Sequence, residues 1–302
     1  MKTFLSIGEA MVELSQAQGD LWRLGFAGDT LNTAWYARDC LPGDWQVSYL
    51  TRLGSDPFSP RMRAFLDENG IDTRFIADDP QCSVGLYAIE LQDGERSFAY
   101  WRGQSAARHL AADPALLDAA FAAADAIYLS GITLAILPPE YRADLIRRLA
   151  EARAAGKPTA FDPNIRPRLW ESPDAMRQAL MAAAPAASIL LPSFDDEAEH
   201  FGDASPEDCA RRWQAAGAGE VVVKNGGGPI ALLLEGPCAM IPVAREKPLD
   251  STGAGDSFNG AYLAARLTGA DPEDAVARAH ALSLQVIRHP GALRPMSRPG
   301  AS

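Results

Sequence analysis

Short runs of β-branched and aliphatic residues alternate along the chain with longer segments whose apolar residues recur every three to four positions. That rhythm predicts a mostly parallel sheet covered by helices on both faces. The runs that read as strands are Thr3–Ile7, Val47–Leu53, Ala126–Ser130, Thr159–Asp162, Ile189–Leu191 and Glu220–Lys224. Between them, Pro57 to Asn69 carries Phe58, Met62, Phe65 and Leu66 at helical spacing, and Gly70 is placed to stop the helix in a left-handed conformation. Pro139 to Ala155 repeats the design, with Gly156 as its stop.

Two stretches break the rhythm. Ser83 to Leu91 and Arg96 to Trp101 flank Asp93-Gly94, a dipeptide that favours a two-residue hairpin turn. Glu9 to Phe26 also alternates, too irregularly for a helix. Both predict antiparallel strands outside the main sheet. They read as an insertion of about 9–26 and 83–102 into one unit spanning 1–302, so no boundary divides the chain.

Composition narrows the classes. The chain has 302 residues, 47% apolar and 22% charged, enough for one large core. The apolar stretch Ala115 to Leu137 is broken by Asp118, Asp125 and Ser130-Gly131, which argues against a membrane span. Glu9 and Glu13 interrupt the apolar start, and no small-residue cleavage site follows, so the start reads as a first strand rather than an export signal. Cys40, Cys82, Cys209 and Cys238 lie far apart, and His109, His200, His280 and His289 have no ligand spacing. The expectation is a reduced, cytoplasmic protein without structural zinc. The tail from Arg294 to Ser302 reads as frayed. A net charge of −11 argues against a nucleic-acid surface. Lysine is confined to Lys2, Lys157, Lys224 and Lys247, so any anionic ligand depends on locally placed cations.

The segment Asp250-Ser251-Thr252-Gly253-Ala254-Gly255-Asp256-Ser257-Phe258 is a glycine-rich turn feeding a helix that runs on through Asn259 to Leu267. Unpaired N–H groups and the positive end of the helix dipole there suit an anion, and glycines let backbone approach it. A carboxylate in the first turn, Asp256, is placed to take a proton from an attacking hydroxyl while the amides stabilise a transferring phosphoryl group. The residues alone are equally compatible with a tight turn and an ordinary N-terminal helix acid. The third glycine of a dinucleotide fingerprint is replaced by Phe258, and no Walker A sequence is present.

This segment resembles, but for Ser251, the D-T-x-G-A-G-D-x-F signature of the ribokinase/PfkB carbohydrate kinases. The resemblance implies that Asp256 is the catalytic base and that Gly253, Ala254 and Gly255 form the anion hole. It extends to three other motifs in the family's order. Gly28-Asp29-Thr30-Leu31-Asn32-Thr33-Ala34 is similar to the family's N-terminal sugar-binding motif, with Ala27 in place of its first glycine, and implies substrate contacts for Gly28, Asp29 and Asn32. The run is most similar to members acting on 2-keto-3-deoxygluconate. Asp162-Pro163-Asn164-Ile165-Arg166-Pro167-Arg168-Leu169-Trp170 resembles a loop of sugar-acid kinases and some fructokinases, which implies roles for Asn164 at the nucleotide and Arg166 at nucleotide and acceptor. Lys224-Asn225-Gly226-Gly227-Gly228 matches a turn that borders ATP, making Lys224, Gly226, Gly227 and Gly228 nucleotide-site candidates. His280 falls near the adenine side but reads as a helix-surface residue. The Asn-x-x-Glu motif that organises Mg²⁺ appears as Ser193-Phe194-Asp195-Asp196, so Asp196 is the candidate to act on the metal through water.

Tyr100-Trp101-Arg102 resembles a substrate-binding Tyr-x-Arg, and Tyr87 falls opposite Tyr100 across the hairpin. Arg102 is expected to share Tyr100's face and meet a substrate carboxylate. Taken together, the resemblance implies a ribokinase-like α/β fold with a small β lid. The activity it implies is ATP- and Mg²⁺-dependent phosphorylation of 2-keto-3-deoxygluconate at its C6 hydroxyl, with room for a monovalent cation. It also implies homo-oligomers joined through the lid. A fructokinase or other small-sugar kinase is the alternative, and a non-catalytic sugar sensor on the same fold the second.

Overall fold

A computed structural model describes residues 1–17, 20–92 and 95–296. In chain order the first half contains β1 (Lys2–Ile7), β2 (Met11–Gln16), β3 (Trp22–Ala27), α1 (Asp29–Cys40), β4 (Trp45–Leu53), α2 (Phe58–Glu68), β5 (Ile71–Asp72), β6 (Ile76–Asp78), β7 (Gly85–Gln92), β8 (Glu95–Trp101), α3 (Pro114–Ala123), β9 (Ala126–Ser130), α4 (Gly131–Ile136) and α5 (Pro139–Ala154). The second half contains β10 (Thr159–Asp162), α6 (Pro173–Ala183), β11 (Ile189–Leu190), α7 (Phe194–Phe201), α8 (Pro206–Ala215), β12 (Glu220–Val223), β13 (Ile230–Leu233), β14 (Ala239–Ile241), α9 (Ala254–Leu267) and α10 (Pro272–Val286).

The main sheet runs β14-β13-β12-β11-β10-β9-β1-β4-β5, with β6 pairing on β4. Its strands are parallel from β12 to β5, and β13 and β14 add an antiparallel edge. Successive side chains enter opposite cores, because a strand's residues alternate across the sheet. Leu5, Ile127, Leu129 and Phe161 pack on one side with Leu145 and Leu149 of α5. Phe4, Val47, Tyr128 and Ala160 pack on the other with Leu31 of α1, Tyr262 of α9 and Val276 of α10. This is the doubly covered sheet that the strand and helix periods predict. Gly70 and Gly156, at φ 72° and 84°, stop α2 and α5 as expected.

The second sheet has the order β3-β2-β7-β8. Its outer pairs are antiparallel hairpins, but β2 and β7 run parallel, which corrects the expectation of antiparallel strands throughout. The reason is topological: both hairpins leave the main sheet in the same direction and meet through their first strands. Asp93-Gly94, the expected turn between β7 and β8, lies outside the described residues. At the C-terminus the expected fraying does not begin at Arg294. The carbonyl of Arg294 accepts from Trp35 Nε1 at 2.9 Å, and its guanidinium meets Asp39 at 3.2 Å.

Candidate functional site

The carboxyl ends of β1, β9, β10, β11 and β12 open onto the N-termini of α1 and α9, the crevice where open α/β sheets hold ligands. α1 and α9 approach closely because Gly260 has no side chain. A Cβ there would lie 2.7 Å from the Thr33 carbonyl oxygen and 2.8 Å from the Ala37 nitrogen. This contact brings Asn32 of α1 to Asp256 of α9, and Asn32 Nδ2 donates to Asp256 Oδ2 at 2.8 Å.

α9 begins after Gly253, whose φ of 75° suits glycine and whose Cβ would strike the Ala292 carbonyl at 2.7 Å. No side chain caps this helix. The first-turn amides of Gly255 and Asp256 therefore face the crevice without an intrahelical acceptor. Asp256 is partly buried, and the loss of solvent around its carboxylate, reinforced by the charges of Asp29 and Asp162, raises its pKa to about 7; the Asn32 bond and the Lys224 charge pull the other way. Asp29, in the first turn of α1, is raised by burial too, although bonds from Ser130 and Asn164 oppose the shift.

The β10 loop joins these parts. Asn164 sits at φ 32°, its N–H donating to Asp162 Oδ1 at 2.9 Å and its Nδ2 to Asp29 Oδ2 at 2.9 Å. Lys224, at the end of β12, is buried, and its ammonium donates to Asp162 Oδ2 at 2.7 Å and to Asn259 Oδ1 at 2.9 Å. A Cβ on Gly255 would lie only 3.6 Å from that ammonium, so the charge stands beside the start of α9. Neither Asp162 nor Asn259 is among the residues singled out from sequence for a site role, yet they fix the only lysine in the crevice among the described residues.

Arg166 is not directed into the centre. Its Nη1 meets Asp196 Oδ2 at 3.2 Å, and its side chain is half exposed. Asp196, in the first turn of α7, has its pKa raised, chiefly by burial, against the opposing Arg166 charge.

Beside the start of α9, a cleft of about 270 Å³ runs along α10. Lys224, Gly226, Gly227, Ala254 and Gly255 border its polar end, and Val243, Pro248, Phe258, Leu284 and Ile287 its apolar part. Gly228 does not line it; its N–H instead donates to the Asn225 carbonyl at 2.6 Å. His280, partly exposed on the surface of α10, borders the cleft, and its Nε2 contacts the Ala244 carbonyl oxygen at 2.7 Å.

The second sheet forms the other wall. Tyr87 pairs with Tyr100, their rings 5.8 Å apart, as the hairpin register predicts. Tyr87 is buried and its hydroxyl donates to Glu13, while Tyr100 is half exposed. Arg102 departs from the expected pattern. It lies just beyond β8, and its guanidinium is turned through Nη2 onto the buried carboxylate of Glu9, which also accepts from Ser105 Oγ. Its Nε is buried without a hydrogen-bond partner among the described residues. Gly28 allows this packing, since a Cβ there would lie 2.2 Å from the Glu9 carbonyl oxygen.

A partly buried acid with its pKa raised toward neutrality, beside an uncapped helix start, a fixed ammonium and an elongated half-apolar cleft, is the arrangement of a group-transfer enzyme that works next to an anion. Residues 1–298 match the pfkB family carbohydrate kinase, and the chain belongs to that family. It is 40% identical to the 2-dehydro-3-deoxygluconokinase of Dickeya dadantii over 98% of this chain and 97% of that one. It is also 40% identical to the enzyme of that name from Escherichia coli K12, over 97% of each. Among solved structures, the PfkB protein of Polaromonas sp. JS666 superposes with a TM-score of 0.82 at 28% identity, covering 93% of this chain and 94% of that one.

Proposed function

We propose that this chain transfers the γ-phosphoryl group of ATP to the C6 hydroxyl of 2-keto-3-deoxygluconate (2-dehydro-3-deoxygluconate), giving the 6-phosphate and ADP. The observation that carries this reading is Asp256, poised by Asn32 at the first turn of α9 with a raised pKa. The hydroxyl oxygen attacks the γ-phosphorus, its proton passes to Asp256, and the bond to the ADP oxygen breaks. Of the expected anion hole Gly253, Ala254 and Gly255, the Ala254 N–H is taken by the Ser251 carbonyl at 3.2 Å, so the Gly255 and Asp256 amides and the Lys224 ammonium are the groups proposed to face the charge that builds up on the transferring group. The adenosine end fits the apolar part of the cleft, with Gly226 and Gly227 along the phosphates. Gly28, Asp29, Asn32 and Tyr87 face the sugar. Asn164, tied to Asp29, positions the wall between the two ligands.

Asp196 and the neighbouring carboxylates give an oxygen-only donor set, which fits Mg²⁺ held through water. A divalent cation would offset the cost of burying the Asp196 charge beside Asp162. Bound there, Mg²⁺ would neutralise phosphate charge.

The acid substrate is supported by Arg102 and by the names of the 40% identical relatives. Arg102 has an unpartnered Nε beside its Glu9 pair, and a turn of the guanidinium away from Glu9 would offer a substrate carboxylate two parallel N–H bonds. A coupled ADP-release assay across sugar acids and neutral sugars tests the reading. Turnover with 2-keto-3-deoxygluconate should exceed that with fructose, and the reverse order would install the fructokinase alternative. Tight sugar binding without turnover would mean a sensor.

The second sheet is read as a lid inserted into one unit. Its outer face carries Leu14, Trp22, Leu86 and Trp101 around an apolar concavity of about 510 Å³, with Trp22 45% and Trp101 61% exposed. A second copy of the chain is the occupant proposed for it. Four free cysteines fit a reducing cytoplasm. Among the described residues no helix is long and apolar enough to cross a membrane.

A further inference from the structure

Where the chain enters and leaves the second sheet, three side chains from distant positions converge. Asp79 follows β6, Cys82 precedes β7, and His109 closes the turn Ala106–His109 after β8. Their ligand atoms all lie within 4.8 Å of one another. His109 Nδ1 is 3.1 Å from Asp79 Oδ2 and 3.9 Å from Cys82 Sγ.

The carboxylate is held in place. Asp79 Oδ1 accepts from the N–H groups of Gln81 and Cys82 at 2.9 and 3.1 Å, which leaves Oδ2 directed at the histidine. The Asp79 N–H is fixed on the Leu53 carbonyl at 2.7 Å, at the end of β4. Such outer contacts are what orient metal ligands elsewhere.

Without an ion the Asp79 carboxylate takes both neighbours, since His109 Nδ1 and the Cys82 thiol each lie in hydrogen-bonding contact with it. Once the thiol and the ring nitrogen have lost their protons, all three groups offer a lone pair to one point. An ion between the three serves all of them. A tetrahedral ion with bonds of about 2.0 to 2.3 Å sets its ligand atoms about 3.3 to 3.6 Å apart, and the observed 3.1 and 3.9 Å bracket that spacing.

We propose that Asp79, Cys82 and His109 form a binding site for a divalent transition metal of the zinc class, with water in the fourth position. Sulfur and imidazole favour Zn²⁺ or Co²⁺ over Mg²⁺, which prefers oxygen, so this site and the phosphate-bound metal of the kinase reaction select different ions. Binding releases the thiol proton to solvent. His109 is half exposed, which gives the ion a way in.

The location gives the site a consequence. Ser83 pairs with Ser105 in an isolated bridge, and the Ala106 N–H donates to the Ser83 carbonyl at 2.9 Å, so the two necks of the second sheet already run side by side. A metal joining Cys82 to His109 clamps them together. Zn²⁺ is therefore expected to restrain that sheet and slow turnover at saturating Mg²⁺.

The test uses the reduced, chelator-treated full chain titrated with Co²⁺ alone. One equivalent should produce a thiolate-to-cobalt charge-transfer band that Zn²⁺ abolishes. Cys82→Ser should lose the band, and His109→Ala should weaken Co²⁺ binding at least tenfold. Cys40→Ser should change nothing. Both site variants should keep the basal ADP-release rate, which shows that they fold. Absence of the band in the wild-type chain, or its persistence in Cys82→Ser, overturns the site. Unchanged hydrogen exchange in residues 82–89 and 99–109 on adding Zn²⁺ overturns the clamp.

Discussion

Asn32 and Asp256 are separated by 224 residues, and their side chains meet at 2.8 Å where two helices begin. The amide donates to the carboxylate and fixes which oxygen faces the crevice. Asp256→Asn should therefore keep the fold, because the new amide oxygen still accepts from Asn32. Turnover should fall by about 10² to 10⁴, the usual contribution of a positioned acid–base group. Retention of a third of wild-type kcat would remove Asp256 from the role of base.

The same variant should be more stable, with a pH signature. The folded pKa of Asp256, about 7, stands above the 3.8 of an ordinary aspartate. Its proton therefore favours the folded state at low pH, and this contribution is lost as pH rises from about 4 through 7. Asparagine has no such loss. Thermal denaturation should give Asp256→Asn a melting advantage that is smallest near pH 4 and grows by about 2–3 kcal/mol, a few degrees, between pH 5 and pH 8.5. An advantage that shrinks with pH would contradict the raised pKa.

A base must be ionised to work, so kcat/KM should climb as pH rises through about 7 and fall about tenfold per unit below it. Initial rates from pH 5 to 9 at low sugar acid concentration read this directly. A flat profile down to pH 5 would mean that the free enzyme holds Asp256 ionised.

Gly260 supports a prediction on positioning. Alanine there would press on the Thr33 carbonyl and the Ala37 nitrogen and push α1 from α9. Gly260→Ala should cost about 1–3 kcal/mol of stability, the range for overpacking, and should lower kcat more than it raises KM for ATP. Chemical denaturation and steady-state kinetics measure the two effects separately.

Much of this arrangement was legible in the sequence. The strand and helix periods gave the doubly covered sheet, and Gly253 to Asp256 marked the glycine turn that starts α9 without a side-chain cap. Local patterns could not show what depends on distant partners. Glu9 sits in a short apolar segment with nothing to suggest that it takes the guanidinium of Arg102. Asp162 and Asn259 gain meaning only once Lys224 is brought between them. Arg166 carries no sign of its pairing with Asp196. The sequence could not show that Cys82 and His109 meet Asp79, because the second sheet between them brings them together. The parallel pairing of β2 and β7 was hidden for the same reason, since periodicity fixes a strand but not its neighbour.

The proposed preference for an acid rests on Arg102, and its partner Glu9 determines how that can be tested. Glu9 is buried, so truncating Arg102 to alanine strands a carboxylate with only Ser105 for company and costs about 3–5 kcal/mol of stability. Loss of activity in that variant would be ambiguous. Lysine keeps a positive charge for Glu9 but cannot present two parallel donors to a second carboxylate. Arg102→Lys should therefore fold, as circular dichroism and melting will show. It should lose about 1.5–3 kcal/mol in kcat/KM for 2-keto-3-deoxygluconate, roughly ten- to a hundredfold, through the lost charge-assisted bonds. With a neutral sugar as acceptor the change should stay within about twofold, because no carboxylate calls on the fork. An equal loss on both acceptors would assign Arg102 to holding the second sheet through Glu9. The acid preference would then have to come from another cation.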